Sequence, residues 1–377
     1  MIPFIDLVKQ GKRVKSKIID SVSEIIDSAA FIGGKYVDRC EEELSVWSGR
    51  SALCVSSGTD ALYLALLALD LKPDQVVFVP SFTFAASAEV IALIGAIPYF
   101  VDVNPDDFNM CPRSLKDAIY QARQSGYDAA GVIVVDLFGQ PADHESIGQI
   151  AEEHGLWVID DAAQAFGSNY QGKSVTTQGV ISTTSFFPAK PLGCYGDGGA
   201  LFVDEGPLLD KLISLRVHGQ GKNRYTYQHV GINGRLDNIQ AAVLVHKLEL
   251  FADEIEARVN IASRYTQHLK ECVKTPIVHS DRSCVYAQYT IQVPMLERDN
   301  MMASLREKGV PSVVYYPTPI HQQPAYLSYP ATPMPNTQRL CQTVMSLPMH
   351  PYLEENDQEQ IIEAVLEASH TYTEVAS

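Results

Sequence analysis

Positive charge is scarce in this sequence. Lysine and arginine number 29 against 45 aspartates and glutamates, a net charge of −16 over 377 residues. A chain that tracks nucleic-acid phosphates presents a basic face, so that class is excluded. Anionic ligands would have to be met by locally placed groups, because the overall field repels them. Paired cysteines are missing too. The seven present, Cys40, Cys54, Cys111, Cys194, Cys272, Cys284 and Cys341, are odd in number and never in C-x-x-C spacing. Neither a disulfide framework nor a zinc knuckle follows. The 10 histidines do not cluster at ligand spacing and no H-E-x-x-H occurs, so no metal is expected. No apolar run is long enough to cross a bilayer: the richest region, Val76 to Val103, is broken by Pro80, Glu89, Gly95 and Pro98 and reads as strand, helix, strand. With no apolar leader ahead of Asp6, these features predict a reducing, cytoplasmic setting without membrane partners. Two tempting glycine motifs fail. Gly33-Gly34-Lys35 lacks the Ser/Thr and upstream glycine of a P-loop, and Gly196-Asp197-Gly198-Gly199 leads into a strand where a dinucleotide fingerprint needs a helix.

What is present is an ordinary globular composition, 46% hydrophobic and 20% charged, on a chain long enough for two cores. Short β-rich runs lie at Leu53–Val55, Val76–Val79, Ile97–Val101, Gly131–Asp136, Trp157–Asp160, Thr183–Phe187 and Ala200–Val203. Several lack polar alternation, as strands covered on both faces do. Helical patterns such as Asp60–Leu69 and His144–His154 lie between them. Strand–helix alternation predicts an α/β layer fold with a mainly parallel sheet, which binds ligands beyond the carboxyl ends of its strands. A helix is expected over Asn238–Leu250. The pattern then changes to helix Asp253–Leu269, strand Gln288–Val293, helix Asp299–Lys308, strand Ser312–Tyr316 and helix Asp357–Ala368, with Pro317–Pro335 an ordered surface loop. The expected division is a large domain over 1–250 and a small α+β domain over 251–377.

Four segments carry chemistry. The strand-like Thr184–Phe187 ends in Lys190 ahead of the glycine-dense loop Gly193–Gly199. Glycine lets backbone approach a ligand closely, and a lysine desolvated there has a lowered pKa and forms Schiff bases. Ser56-Ser57-Gly58-Thr59-Asp60 opens an apolar helix after a strand. Its unpaired N–H groups suit a phosphate, although an ordinary N-cap reads the same way. Asp160-Asp161-Ala162-Ala163-Gln164 follows another strand. A carboxylate at that end either is simply solvated or pairs with a protonated pyridine nitrogen and keeps the ring an electron sink. In Pro80-Ser81-Phe82-Thr83-Phe84 an aromatic ring either stacks on a planar cofactor or fills the core.

With Ser185–Gly193, Val285-Tyr286-Ala287-Gln288-Tyr289-Thr290 and Val344–Pro351 in this order, the chain from Phe4 to His350 resembles the DegT–StrS family, pyridoxal-phosphate (PLP) aminotransferases acting on keto nucleotide sugars. The resemblance implies PLP fold type I, the aspartate aminotransferase-like α/β fold, in a homodimer with shared active sites. Lys190 would be the Schiff-base residue and general base, and Asp161 the ring-nitrogen partner. Gln164 would contact the ring hydroxyl, and Phe84 would stack on the ring. Gly58, Thr59 and Ser185 would hold the phosphate. Asn233, in Gly231-Ile232-Asn233-Gly234-Arg235, would reach the partner subunit's phosphate group and Arg235 its nucleotide sugar. Tyr315, Tyr316 and His321 would contact the sugar, although family members near this chain carry histidine at the position of Tyr315. Implied partners are an amino-acid donor, L-glutamate, and a UDP-linked 3-oxo sugar acid related to N-acetylglucosaminuronate, aminated at C3 for surface polysaccharide. The rival readings are an acceptor that is a thymidine-linked 3-oxo or 4-oxo deoxysugar, a PLP-type sugar dehydratase, whose family members replace the lysine with histidine, and a silent binding protein on the same fold.

Overall fold

The computed structural model describes residues 2–223 and 225–375, with side chains through residue 369. In chain order the elements are α1 (Leu7–Ser28), α2 (Lys35–Ser48), β1 (Ser51–Val55), α3 (Gly58–Ala68), β2 (Val76–Pro80), α4 (Ala86–Leu93), β3 (Ile97–Val101), α5 (Pro112–Gln124), β4 (Ala129–Val135), α6 (His144–Glu153) and β5 (Trp157–Asp161). A two-residue hairpin, β6 (Asn169–Tyr170) and β7 (Lys173–Ser174), precedes β8 (Ile181–Ser185), β9 (Gly199–Val203), α7 (Pro207–Arg216) and α8 (Asn238–Leu269). The last elements are β10 (Tyr289–Gln292), α9 (Arg298–Glu307), α10 (Pro335–Thr343), β11 (Val344–Leu347) and α11 (Glu355–Val375).

Seven strands form one sheet in the order β1-β9-β8-β5-β4-β2-β3. Pairing is parallel from β8 through β3, and β9 runs antiparallel to both its neighbours. Side chains alternate between faces. Leu53, Val55, Ile133, Leu201 and Val203 pack with α3, α4 and α7 on one side. Ala52, Cys54, Ala200 and Phe202 meet α1, α2 and α8 on the other, and Val132 and Val134 meet α5 and α6 there. Covering both faces is why the strands read as continuous apolar runs. It also fixes where a site can form: the carboxyl ends of β1, β2, β5 and β8 open at one edge.

Two expectations are corrected. The anticipated helices Asn238–Leu250 and Asp253–Leu269 are one helix of 32 residues. Residues 250–253 contain neither glycine nor proline to stop it. Its first half packs through Val243, Leu244 and Phe251 against the sheet. Its second packs through Ile261, Tyr265 and Leu269 against β10, β11, α9 and α11. The anticipated strand Ser312–Tyr316 forms only one bridge, Val313 to Ser346. Pro311 and Pro317 bound the segment, and Tyr315 and Tyr316 turn into the cavity described next.

Candidate active site

A cavity of about 630 Å³ opens at that carboxyl edge, within the usual size of a small-ligand site. Its wall includes Ser57, Gly58, Thr59, Phe84, Asp161, Gln164, Ser185, Lys190, Tyr315 and Tyr316. The sequence segments around residues 58, 84, 161 and 190 therefore meet in one place.

Asp161 ends β5, 5% exposed. Burial raises its pKa, while a hydrogen bond from Ser87, the positive field of Lys190 and the Ala163 amide pull it back. Ser87 Oγ donates to Oδ2 at 2.8 Å and Ala163 N to Oδ1 at 3.2 Å. Lys190 sits on the turn after β8, its backbone N–H donating to Phe187 O at 2.9 Å. Burial lowers its pKa and Asp161 opposes that shift. A lowered pKa enlarges the neutral fraction, the form that acts as nucleophile and base.

Gln164 is fixed in orientation. Its Oε1 accepts from Phe138 N at 2.7 Å and its Nε2 donates to Tyr316 OH at 3.2 Å. One N–H of the amide remains to donate to a ligand oxygen. Phe84 is 59% exposed, whereas Phe82 is 1% exposed and packs against Phe108 and Phe138. At the other end of the cavity Ser57 caps α3, its Oγ accepting from Asp60 N at 3.0 Å. A Cβ on Gly58 would stand 2.6 Å from Ser185 Cβ, and one on Gly199 would stand 2.5 Å from Ser57 backbone. These glycines let β9, Ser185 and the start of α3 close into a cradle lined by N–H and hydroxyl donors.

Three expected residues lie apart from this wall. Asn233 and Arg235 lie on a segment bridged to Val217, just after α7, and to Val55, the last residue of β1. Arg235 Nε donates to Asn233 Oδ1 at 3.0 Å, and neither side chain lines the cavity. His321 Nδ1 is 2.7 Å from Ser81 Oγ, its ring against Phe100, and burial lowers its pKa. Other wall residues were not anticipated: Ser87, Thr83, Asp197 and Gln288, whose buried Oε1 has no partner.

The donor set fits a phosphorylated pyridine aldehyde. A helix end with hydroxyls suits the phosphate, a buried carboxylate the ring nitrogen, an oriented amide the ring oxygen and a desolvated lysine the aldehyde. A mostly parallel sheet with lysine and carboxylate facing one cavity at its carboxyl edge defines an enzyme of the fold-type-I aminotransferase class. Residues 12–366 match the DegT/DnrJ/EryC1/StrS aminotransferase family, and the chain belongs to it. It is 42% identical to the UDP-2-acetamido-2-deoxy-3-oxo-D-glucuronate aminotransferase of Pseudomonas aeruginosa, over 94% of this chain and 96% of that protein. Among solved structures it is similar to a DegT/DnrJ/EryC1/StrS aminotransferase from Brucella abortus, with TM-score 0.95, 43% identity, and 97% and 99% of the two chains covered. It is also similar to NtdA from Bacillus subtilis with bound cofactor PMP, with TM-score 0.89, 28% identity, and 98% and 85% covered.

The Ser87 contact generates a test. Ser87→Ala removes a hydrogen bond to an ionised carboxylate, worth about 1.5–3 kcal/mol. The Asp161 pKa should rise, so the acid limb of kcat/KM should move to higher pH. An unmoved limb would separate Ser87 from the ionisation of Asp161.

Proposed function

We propose that this chain moves an amino group from an amino acid, L-glutamate, to the C3 ketone of a UDP-linked 3-oxo N-acetylglucosaminuronate, with PLP as resident cofactor. The observation that carries the reading is the buried Asp161 and the desolvated Lys190 sharing one cavity wall. The named activity of the Pseudomonas relative supports the acceptor.

When bound, PLP supplies an aldehyde carbon that takes up amines and a cationic ring that withdraws electrons from the adjoining C–H bond. Every other task falls to the chain. Lys190 Nζ holds the cofactor covalently, then as a neutral amine takes the donor's Cα proton and later returns one to the acceptor. Asp161 stays ionised so that the ring nitrogen keeps its proton. Gln164 directs its free N–H to the ring oxygen, and Phe84 covers one ring face. Gly58, Thr59 and Ser185 hold the phosphate at the α3 N-terminus. Tyr315 and Tyr316 are hydrogen-bond donors to the sugar, and burial keeps both phenols protonated by raising their pKa. His321 is held by Ser81 off the cavity wall and is assigned no contact with the sugar.

Among the described residues the cavity wall carries one cation, Lys190, beside Asp161 and Asp197. A cofactor phosphate and a substrate diphosphate need more positive charge than that. Asn233 and Arg235, outside their own chain's cavity, are the residues we assign to the partner's site in a homodimer. Exposed Val8, Ile19, Ile26, Phe31 and Ile32 on and after α1 offer it an apolar face. We further propose the division 1–250 and 251–377, supported by the separate cores that the two halves of α8 enter. No helix among the described residues is long and apolar enough to cross a membrane.

The acceptor is tested by comparing kcat/KM for the UDP-linked 3-oxo sugar acid with thymidine-linked 3-oxo and 4-oxo deoxysugars. The first should win, and Arg235→Ala should cost it about 1.5–3 kcal/mol as a lost charged hydrogen bond. A thymidine-linked sugar turning over faster would overturn the acceptor and leave the aminotransferase intact. Shared sites are tested by complementation. Lys190→Ala and the double variant Asn233→Ala, Arg235→Ala should each be inactive alone and regain activity when mixed. Fully exchanged dimers without activity would return the loop to its own subunit.

A further inference from the structure

Behind Asp161, away from the cavity, lies a second acidic group that the reaction does not use. Asp136 follows β4 and Asp160 lies in β5, and both are 0% exposed. His144, the first residue of α6, is buried against them. Asp136 Oδ1 accepts from Ala142 N at 2.7 Å, and His144 Nε2 lies 2.9 Å from the same oxygen. Asp160 Oδ2 accepts from Ser182 Oγ at 2.6 Å. Among the described residues the remaining oxygens, Asp136 Oδ2 and Asp160 Oδ1, have no hydrogen-bond partner, and His144 Nε2 lies 3.8 Å from Asp160 Oδ1. The acidic oxygens and the His144 nitrogen that face one another all lie within 4.8 Å.

Two buried carboxylates this close cannot both ionise cheaply, and two orphaned oxygens in a dry interior are costly in their own right. One proton between them removes both problems, because a carboxyl donates where a carboxylate accepts. Surrounding charges leave that arrangement in place. Asp161 and Asp143 add negative charge. Arg282 is paired with Asp281 and lies over the Tyr170 ring at 5.1 Å. Burial lowers the pKa of His144, which favours its neutral, donating form. Lys190 faces Asp161 across the cavity rather than this pair.

We propose that Asp136 and Asp160 share a single proton and, oriented by His144, act as a positioning pair for Asp161. The link to Asp161 is the backbone. Asp160 precedes it in the chain, and Asp136 N donates to Asp161 O at 3.1 Å. The shared proton thus ties the ends of β4 and β5 where the Asp161 carboxylate projects, and it leaves one negative charge there instead of two. The role of Asp161 rests on the function proposed above; the proton count does not.

The pair raises a sign that can be measured. Burial moves Asp136 up from 3.8 to about 7 and Asp160 well above its ordinary value. The folded chain then keeps a proton that the unfolded chain loses above the ordinary carboxyl range. Its contribution to stability is complete below that range and is lost as pH rises through the folded pKa. Asp136→Asn replaces the protonated carboxyl by an amide that cannot ionise. Between pH 5 and 7 the folding equilibrium of Asp136→Asn relative to wild type should therefore rise with pH, approaching tenfold per unit. A ratio independent of pH would mean that no proton is shared and would overturn the proposal. A stoichiometric divalent metal in purified protein would overturn it too. If the variant fails to fold, the infrared carbonyl stretch of a protonated carboxyl in wild type labelled at aspartate decides the question: its presence at pH 7 supports the proposal and its absence overturns it.

The positioning role has its own readout in the holoenzyme, the pH titration of cofactor absorbance. Asp136→Asn keeps the single charge and should leave the acid limb in place. The double variant Asp136→Asn, Asp160→Asn removes that charge, lowers the Asp161 pKa and should move the limb to lower pH. An unmoved limb in the double variant would reduce the pair to a purely structural element. A chain that bound no cofactor would contradict the function proposed above while leaving the stability test intact.

Discussion

The proposed chemistry depends on keeping one carboxylate charged where burial favours its neutral form. Asp161 lies at the end of a strand covered on both faces, and desolvation pushes its pKa up. Ser87 donates to it from α4 and Lys190 stands opposite on the β8 turn, and both oppose that rise. The relation is reciprocal. Desolvation lowers the lysine pKa, and the carboxylate prevents the drop from going further. Each group is therefore tuned by the other through a geometry that only the sheet order β4-β5-β8 provides.

The rest of the architecture serves that pair. Parallel strands bring four chain segments to one edge, and the antiparallel β9 lets Gly199 pass against Ser57 where a larger residue would collide. The α3 N-terminus supplies fixed dipoles in a chain whose overall charge is −16. That shortage of positive charge makes the placement of Arg235 consequential. Among the described residues Lys190 is the one cation on the cavity wall, so the proposed reaction has to borrow charge for its anionic substrates.

Much of this was legible in the sequence, for physical reasons. Several of the seven strands stood out because uninterrupted apolar runs are what two covered faces require. Lys190, Asp161 and Gly58 were readable because each sits where a strand ends, and strand ends are where such sheets bind. Ser87 was not readable, since its role comes from a contact 74 residues away in the chain. Helix α8 was read as two because the character of its buried face changes at Phe251, from the sheet core to the smaller one, without any breaker in between. Ser312–Tyr316 has the β-branched and aromatic content of a strand, yet both of its tyrosines are taken up by the cavity. His321 stands beside Ser81 instead of on the cavity wall, because local hydrogen bonding is invisible to a motif.

Lys190 is the residue proposed to take up the cofactor. Borohydride reduction of the purified holoenzyme, followed by peptide mapping, tests it most directly. A pyridoxyl group is expected on the peptide carrying Lys190. Label on another lysine, or on none, would contradict it.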